Sequence, residues 1–158
     1  MATETQLPVQ AGSEKDLLIW QQGIIEDAPG GVMTIMSIGL TREGKHPTNP
    51  GEVTHTLTSP SGFVWNGWTA YAYYSADQKV RGSMAEINAK VTADGRKLTF
   101  THNPHVYTDD HDQDALVYIL GVGATDDAEP GRYTDGQIRV GKAKAVKLKG
   151  RVLDPDED

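Results

Sequence analysis

The chain has 158 residues, no cysteine and a formal net charge of −7. Its length favours one domain, and the lack of cysteine excludes disulfides, thiolate metal sites and thiolate nucleophiles. The negative charge disfavours nucleic acid and anionic lipid as partners, because both would repel the chain over roughly 8 Å, the Debye length at physiological salt.

The two ends of the chain differ in composition from its middle. Residues 1–12 have neither a basic start nor an apolar segment, so they predict a flexible leader and no ordinary signal peptide. The acidic residues 153–158 predict a solvated tail, which leaves 13–152 as one domain. No apolar segment approaches the roughly 20 residues that span a bilayer, so membrane insertion is not expected. Ser13–Trp20 fits either a capped helix or a strand.

The first half of the predicted domain reads as strands separated by turns. Val32–Leu40 alternates with at least one apolar face and predicts a core strand. Thr41–Gly51 contains too many glycines and prolines for any element and predicts a long connection. Glu52–Thr58 alternates apolar residues with threonines, which predicts a half-buried strand and places His55 on its buried side. Phe63–Ser75 is the longest strand candidate and has aromatic residues on both faces.

The second half continues in the same way. Met84–Thr92 alternates weakly, and Ala93–Arg96 supplies a hairpin turn through which Lys97–Thr101 pairs back. The continuous apolar segment Ala115–Val122 predicts a strand at the centre of a sheet. Two short segments, Arg132–Thr134 and Gln137–Val140, predict a final pair.

Lys142–Val152 alternates cations with apolar residues and predicts an edge strand. Its lysines favour protection of that edge from pairing, and binding of a polyanionic cell wall is the alternative. About eight short strands with no helical period between them predict an all-β, immunoglobulin-like antiparallel sandwich.

One segment near the end of the chain resembles a known family. Pro130-Gly131-Arg132-Tyr133, followed by a small turn and an alternating strand, resembles the end of bacterial, actinobacterial-type extracytoplasmic immunoglobulin-like domains. The resemblance implies that Tyr133 enters the penultimate strand and packs over the preceding turn. It also implies a secreted or surface-displayed binding, adhesive or spacer module with no shared catalytic residues.

Two metal sites are conceivable in the acidic loop from His102 to Asp114. Asp110, Asp112 and Asp114 are spaced two apart and could converge on calcium, which prefers six to eight oxygen ligands. A second interpretation uses histidine and carboxylate ligands for zinc. Its candidate ligands are His102, His105, His111 and Asp109. Exposed loop residues without a metal are the simpler interpretation of both, and calcium is the one cofactor that the sequence suggests.

The aromatic strand is the candidate partner-binding surface. Because only one face of a sandwich strand is buried, the other face displays its aromatic residues unless a loop covers them. The candidate residues are Trp65, Trp68, Tyr71, Tyr73 and Tyr74. Burial beneath the connection 41–51 is the competing interpretation.

Three functions remain open at this stage. The favoured hypothesis is a non-catalytic, secreted binding module that recognises a protein or a glycan. The alternative is a structural or adaptor subunit of a larger particle, such as a phage or toxin assembly, which pairs through edge strands. A metal-dependent enzyme that uses the histidines of the acidic loop is the third, and no glycine-rich phosphate loop or nucleophile elbow supports other chemistry.

Overall fold

The structure is a computed structural model, and it describes residues 10–11, 17–22, 24–29, 34–42, 48–49, 51–74, 80–104 and 115–154. None of these residues is helical. The strands are β1 (Gln10–Ala11), β2 (Leu17–Gln22), β3 (Ile25–Asp27), β4 (Thr34–Arg42), β5 (Thr48–Asn49), β6 (Val53–Thr58), β7 (Phe63–Tyr74), β8 (Val80–Glu86), β9 (Lys90–Val91), β10 (Lys97–His102), β11 (Ala115–Ala124), β12 (Gly131–Val140) and β13 (Val146–Val152).

Two sheets form the domain. One has six strands in the order β3-β13-β12-β6-β10-β9, and the other has five in the order β2-β4-β11-β7-β8. All pairings within the two sheets are antiparallel except that of β13 with β3. The predicted all-β, immunoglobulin-like sandwich is confirmed, with nine strands of six residues or more in the two sheets.

The core lies between the two sheets. Alternate residues of β6, β10 and β12 point inward from one sheet, and alternate residues of β7 and β11 point inward from the other. The largest fully buried apolar side chains of the described residues are Tyr118, Phe63, Ile25, Leu57, Leu98, Leu116, Leu120, Ile138 and Leu148. Burial of each such side chain contributes roughly 1.5–3 kcal/mol, so this layer supplies most of the favourable free energy of folding.

The central strand is β11, as its continuous apolar sequence predicts. It lies between β4 and β7, and its inward residues Leu116 and Tyr118 belong to the core. Its outward residues Val117 and Ile119 are also buried, although they are outside that core cluster. Burial on both faces explains why no polar alternation is visible in this segment.

Several local predictions are confirmed. The Ala93–Arg96 turn joins β9 to β10, with Gly95 at φ 75° and a hydrogen bond of 2.9 Å from the Thr92 amide to the Lys97 carbonyl. Tyr133 lies in the penultimate strand, and its hydroxyl donates to the Glu129 carbonyl at 2.7 Å. A tyrosine that bonds back over the preceding corner is a recurrent feature of immunoglobulin-like sandwiches.

Three predictions are wrong in their extent. Arg132–Thr134 and Gln137–Val140 do not form a pair, because both lie in the single strand β12, which has a register shift between Tyr133 and Gly136. Met84–Thr92 is not one strand, because β8 pairs with β7 in one sheet whereas β9 pairs with β10 in the other. The chain therefore crosses between the sheets at 87–89. The predicted long connection Thr41–Gly51 includes the end of β4 and all of β5.

The ends of the domain also differ from the predictions. Leu17–Gln22 resolves the ambiguity of the first segment, because these residues form strand β2. Gln10 and Ala11, predicted to be part of a flexible leader, pair in parallel with β5. The predicted edge strand β13 lies one position inside the sheet, because β3 pairs with it.

Candidate functional site

A bulge in β7 positions the predicted aromatic residues. Trp65 pairs with Val122 and Thr69 pairs with Leu120, so four steps along β7 match two steps along β11. Gly67 has φ 96° there, a conformation that favours glycine. The carboxamide of Asn66 covers Gly121, where an added Cβ would lie 2.2 Å from Asn66 Oδ1. A glycine inside a strand pattern often marks a bulge, so the Asn66-Gly67 pair is the sequence feature that corresponds to this one.

The predicted partner-binding residues lie in different environments. Trp65 is only 4% exposed, belongs to the core, and donates from Nε1 to the Arg96 carbonyl at 3.1 Å. Trp68 and Tyr71 are half-buried and retain contact with solvent. Tyr73 and Tyr74 lie on β7, but their side chains are outside the described residues.

Tyr71 joins an aromatic–histidine cluster that connects the two sheets, made of Tyr71, Tyr118, His55, Phe100 and His102. His55 stacks on Phe100 at 4.5 Å between ring centroids and meets Tyr118 edge-on at 4.9 Å. The Tyr118 hydroxyl and His102 Nδ1 share a hydrogen bond of 2.7 Å, and the His102 ring lies 4.4 Å from that of Tyr71.

His55 is the more buried of the two histidines of this cluster, as its place on the apolar side of β6 predicts. It is 2% exposed, and its Nδ1–H donates to the Val53 carbonyl at 3.0 Å. Burial lowers the pKa of His55 to about 4, although the bond to Val53 raises it, and nearby His102 lowers it further. Its Nε2 is buried without a hydrogen-bond partner, which a neutral acceptor tolerates better than a charged N–H would.

The β7–β8 ribbon, made of residues 63–74 and 80–86, presents apolar groups to solvent. Met84 is 51% exposed, and Ile24 at 37% is the other exposed large apolar side chain among the described residues. Met84 lies in a second bulge, because Tyr71 pairs with Ala85 and Tyr73 pairs with Arg81. A bulge distorts the free backbone of an edge strand and opposes pairing with another chain.

The predicted metal ligands fall largely outside the described residues. Asp110, Asp112 and Asp114 of the calcium prediction lie there, as do His105, His111 and Asp109 of the zinc interpretation. His102 is described, and its Nδ1 faces the Tyr118 hydroxyl. In the described part of the chain, no three histidine or carboxylate side chains are arranged to hold a metal ion. That part also contains no helix of sufficient length and apolarity to cross a membrane.

Comparisons with known proteins give loose structural similarities. No protein-family model matches the chain. No curated protein matches it either. The solved structure of AvmM, which catalyses macrocyclization in alchivemycin A biosynthesis, is similar with a TM-score of 0.45 and 9% identity over 92% of this chain and 93% of AvmM.

A collagen-binding domain from a Staphylococcus aureus adhesin is similar with a TM-score of 0.42 and 8% sequence identity, over 90% of this chain and all of that domain. BslA, a bacterial hydrophobin, is similar with a TM-score of 0.38 and 14% sequence identity, over 87% of this chain and 96% of BslA. At these TM-scores the similarity does not extend to function, so functional inference rests on the residues of this chain.

Proposed function

We propose that this protein is a non-catalytic binding module that recognises a protein partner through the β7–β8 ribbon. The observation that carries the proposal is the exposure of Met84 on the strand that pairs with β7, where the half-buried Trp68 also reaches solvent. Tryptophan, tyrosine and methionine are enriched at protein interfaces, because they contribute large contact areas. Methionine also adapts its shape to different partner surfaces.

The rigid support beneath the ribbon favours this function. Tyr71 packs against His102, and Trp65 is fixed in the core by its bond to Arg96. Side chains that are already ordered lose little conformational entropy when a partner binds. The resemblance of Pro130-Gly131-Arg132-Tyr133 to extracytoplasmic domains supports an extracellular place of action.

The experiment identifies the partner and then measures its affinity. Immobilised protein captures surface and culture-fluid proteins of the source organism, and the captured protein is purified and titrated against the wild type. We expect Met84→Glu and Trp68→Ala each to weaken the affinity about tenfold or more, because a hot-spot truncation costs roughly 2 kcal/mol. Ile24→Glu is the matched control, since Ile24 is exposed beside the other sheet and should leave the affinity unchanged.

Equal binding by the wild type, Met84→Glu and Trp68→Ala would refute the ribbon as the contact surface. Retention of the wild type on a neutral glycan in place of any protein, lost in Trp68→Ala, would show that the ribbon binds sugar. Circular dichroism of each variant confirms that the sandwich is intact.

A further inference from the structure

The outward face of the six-stranded sheet is distinct from the ribbon and has a different chemistry. Along β6, β10 and β13, outward residues alternate with buried ones. The outward residues of the neighbouring strands β6 and β10 are Thr54, Thr56, Thr58, Lys97, Thr99 and Thr101. This surface is therefore made of hydroxyl and cationic groups, with no outward apolar residue on these two strands.

Positive charge outweighs negative charge on this sheet. Its six strands contain seven of the chain's 15 lysines and arginines and three of its 22 acidic residues, which are Glu26, Asp27 and Asp135. Glu26 lies 3.4 Å from Arg151, and Asp27 is buried. The carboxylate of Asp135 accepts hydrogen bonds from both the amide and the hydroxyl of Ser61. The strands of this sheet are therefore net positive in a protein whose net charge is −7.

Strand register arranges the cations in two rows. In the first row, Gln137 and Thr58 separate Lys147 from Lys97. In the second row, Thr56 and Thr99 separate Arg139 from Lys90. Each row spans three strand spacings, so the backbone positions of its two cations are roughly 14 Å apart, and the rows are about 7 Å apart.

Protection of a sheet edge does not explain all of these cations. Lysine commonly blocks pairing at edge strands. Strand β3 pairs with residues 150–152 of β13 and not with Lys147, so edge protection fits Lys147. However, Arg139 lies on β12 between β13 and β6, and Lys97 lies on β10 between β6 and β9. The positions of Lys97 and Arg139 therefore favour a function for the face itself.

Two grooves lie on this face. A groove of about 500 Å³ is lined by residues that include Gln137, Lys147, Thr58 and Asp135, and a second groove of about 470 Å³ is lined by residues that include Thr58, Arg96, Lys97 and Asp94. Both carboxylates accept hydrogen bonds within the chain, Asp135 from Ser61 and Asp94 from Thr92 and the Arg96 amide. Because Thr58 lines both grooves, they adjoin along the first row. A depression with hydroxyl and amide groups in its middle and cations at its ends suits a chain of sugar rings that carry acidic groups.

We propose that the Thr- and Lys-rich outward face of the six-stranded sheet binds an acidic polysaccharide, with carboxylates or sulfates of the sugar chain on its cations and sugar hydroxyls on its threonines and Gln137. Charge complementarity selects a polyanion. No aromatic side chain points outward on β6 or β10 for base stacking, which disfavours single-stranded nucleic acid as the occupant.

The test uses the intact protein and alginate, a linear polymer of uronic acids, in a titration at low and moderate salt. We expect the wild type to bind alginate, to bind more weakly at higher salt, and not to bind a neutral glucan of equal length. The double variant Lys97→Gln with Arg139→Gln removes one cation from each row. It should bind about tenfold more weakly and with a shallower salt dependence, because fewer counterions are released.

Lys142→Gln with Lys144→Gln is the matched control. It removes the same charge from the exposed loop between β12 and β13, so binding should remain within about twofold of the wild type. Because all four side chains are exposed, both double variants should unfold at the wild-type temperature.

Three results would overturn the proposal. Equal losses in the two double variants would show a general effect of net charge. Equal binding of the neutral glucan would remove the role of the cations. Duplex DNA bound as tightly as alginate would show that the face does not distinguish sugar from other polyanions. Loss of alginate binding in Lys97→Gln with Arg139→Gln, but not in Met84→Glu, would separate this site from the ribbon.

Discussion

Replacement of His55 by phenylalanine should make the protein less sensitive to mild acid. In the unfolded chain this histidine titrates at its ordinary pKa of 6.5, whereas in the folded protein burial lowers the pKa to about 4. Between these two values the unfolded state binds more protons than the folded state, so the free energy of unfolding falls as the pH falls. From pH 7 to pH 4.5 this one group should cost the wild type about 2 kcal/mol.

His55→Phe removes the titration but keeps the aromatic stacking on Phe100. The variant loses the hydrogen bond to the Val53 carbonyl, which should cost about 1 kcal/mol at every pH. We therefore expect the variant to be the less stable protein at pH 7 and the more stable one at pH 4.5. The measurement is urea unfolding followed by tryptophan fluorescence at the two pH values.

Other titrating groups do not obscure this comparison. The remaining four histidines are present in both proteins, so most of their contribution cancels in the difference. His102 is the exception, because it lowers the pKa of His55 and is itself relieved of that charge in the variant. Hydrogen bonds from Thr92 and Arg96 lower the pKa of Asp94 below 3.8. For Asp135, burial raises the pKa, but the bonds from Ser61 together lower it below 3.8. The stability that these two carboxylates contribute is fully present above pH 3.8. It is lost only as the pH falls through their lowered pKa values, which lie below the pH range tested. Parallel stability losses in wild type and His55→Phe would refute the reasoning.

Two further predictions concern Gly95, which lies in a turn, and Tyr133, whose hydroxyl bonds back to the segment before its strand. Gly95→Ala should destabilise the protein by about 2–4 kcal/mol, because its φ is 75° and the added Cβ would lie 2.8 Å from Val64 Cβ. Gly51→Ala is its control, since φ is 87° with open space around the added Cβ, and it should cost only about 1–2 kcal/mol; equal losses in thermal unfolding would contradict a steric effect. Tyr133→Phe should lower the free energy of unfolding in urea by about 1 kcal/mol through loss of the bond to Glu129, and an unchanged value would contradict a stabilising role for that bond.

Patterns within single segments predicted much of this fold. The alternation of β6 placed His55 on the buried face, and the unbroken apolar sequence of β11 placed that strand at the centre of a sheet. In both segments burial is decided by which face of one strand meets the core, and a period of two residues records that directly.

Pairing between distant segments was not predictable in the same way. Residues 84–92 appear as one weak strand because nothing local indicates that the chain changes sheets at 87–89. Strand β13 lies inside the sheet because Ile25–Asp27, more than 100 residues earlier, pairs beside it, and the Gln21 side chain bonds both backbone groups of Lys149 at 2.8 Å. Such contacts depend on tertiary packing and have no short-range signal.

The candidate binding surfaces were predictable to different degrees for the same reason. The sequence indicates the aromatic residues of β7 as a candidate surface because tryptophan and tyrosine are large. Only the register and the bulge at Gly67 show that Trp65 is buried whereas Trp68 reaches solvent. The cations of the six-stranded sheet come from four strands, β9, β10, β12 and β13, which are spread over residues 90–152, so no single segment contains the pattern.

The two proposed surfaces belong to different sheets that share one core, and this arrangement decides how substitutions act. Met84 lies on the five-stranded sheet and Arg139 on the six-stranded sheet, and both side chains are exposed. A change at either position alters contacts with one ligand and leaves the packing beneath it intact. A change at His55, which touches residues of both sheets, acts on stability and therefore on both surfaces together. Loss of one binding activity without loss of stability is consequently the signature that separates a contact residue from a core residue in this fold.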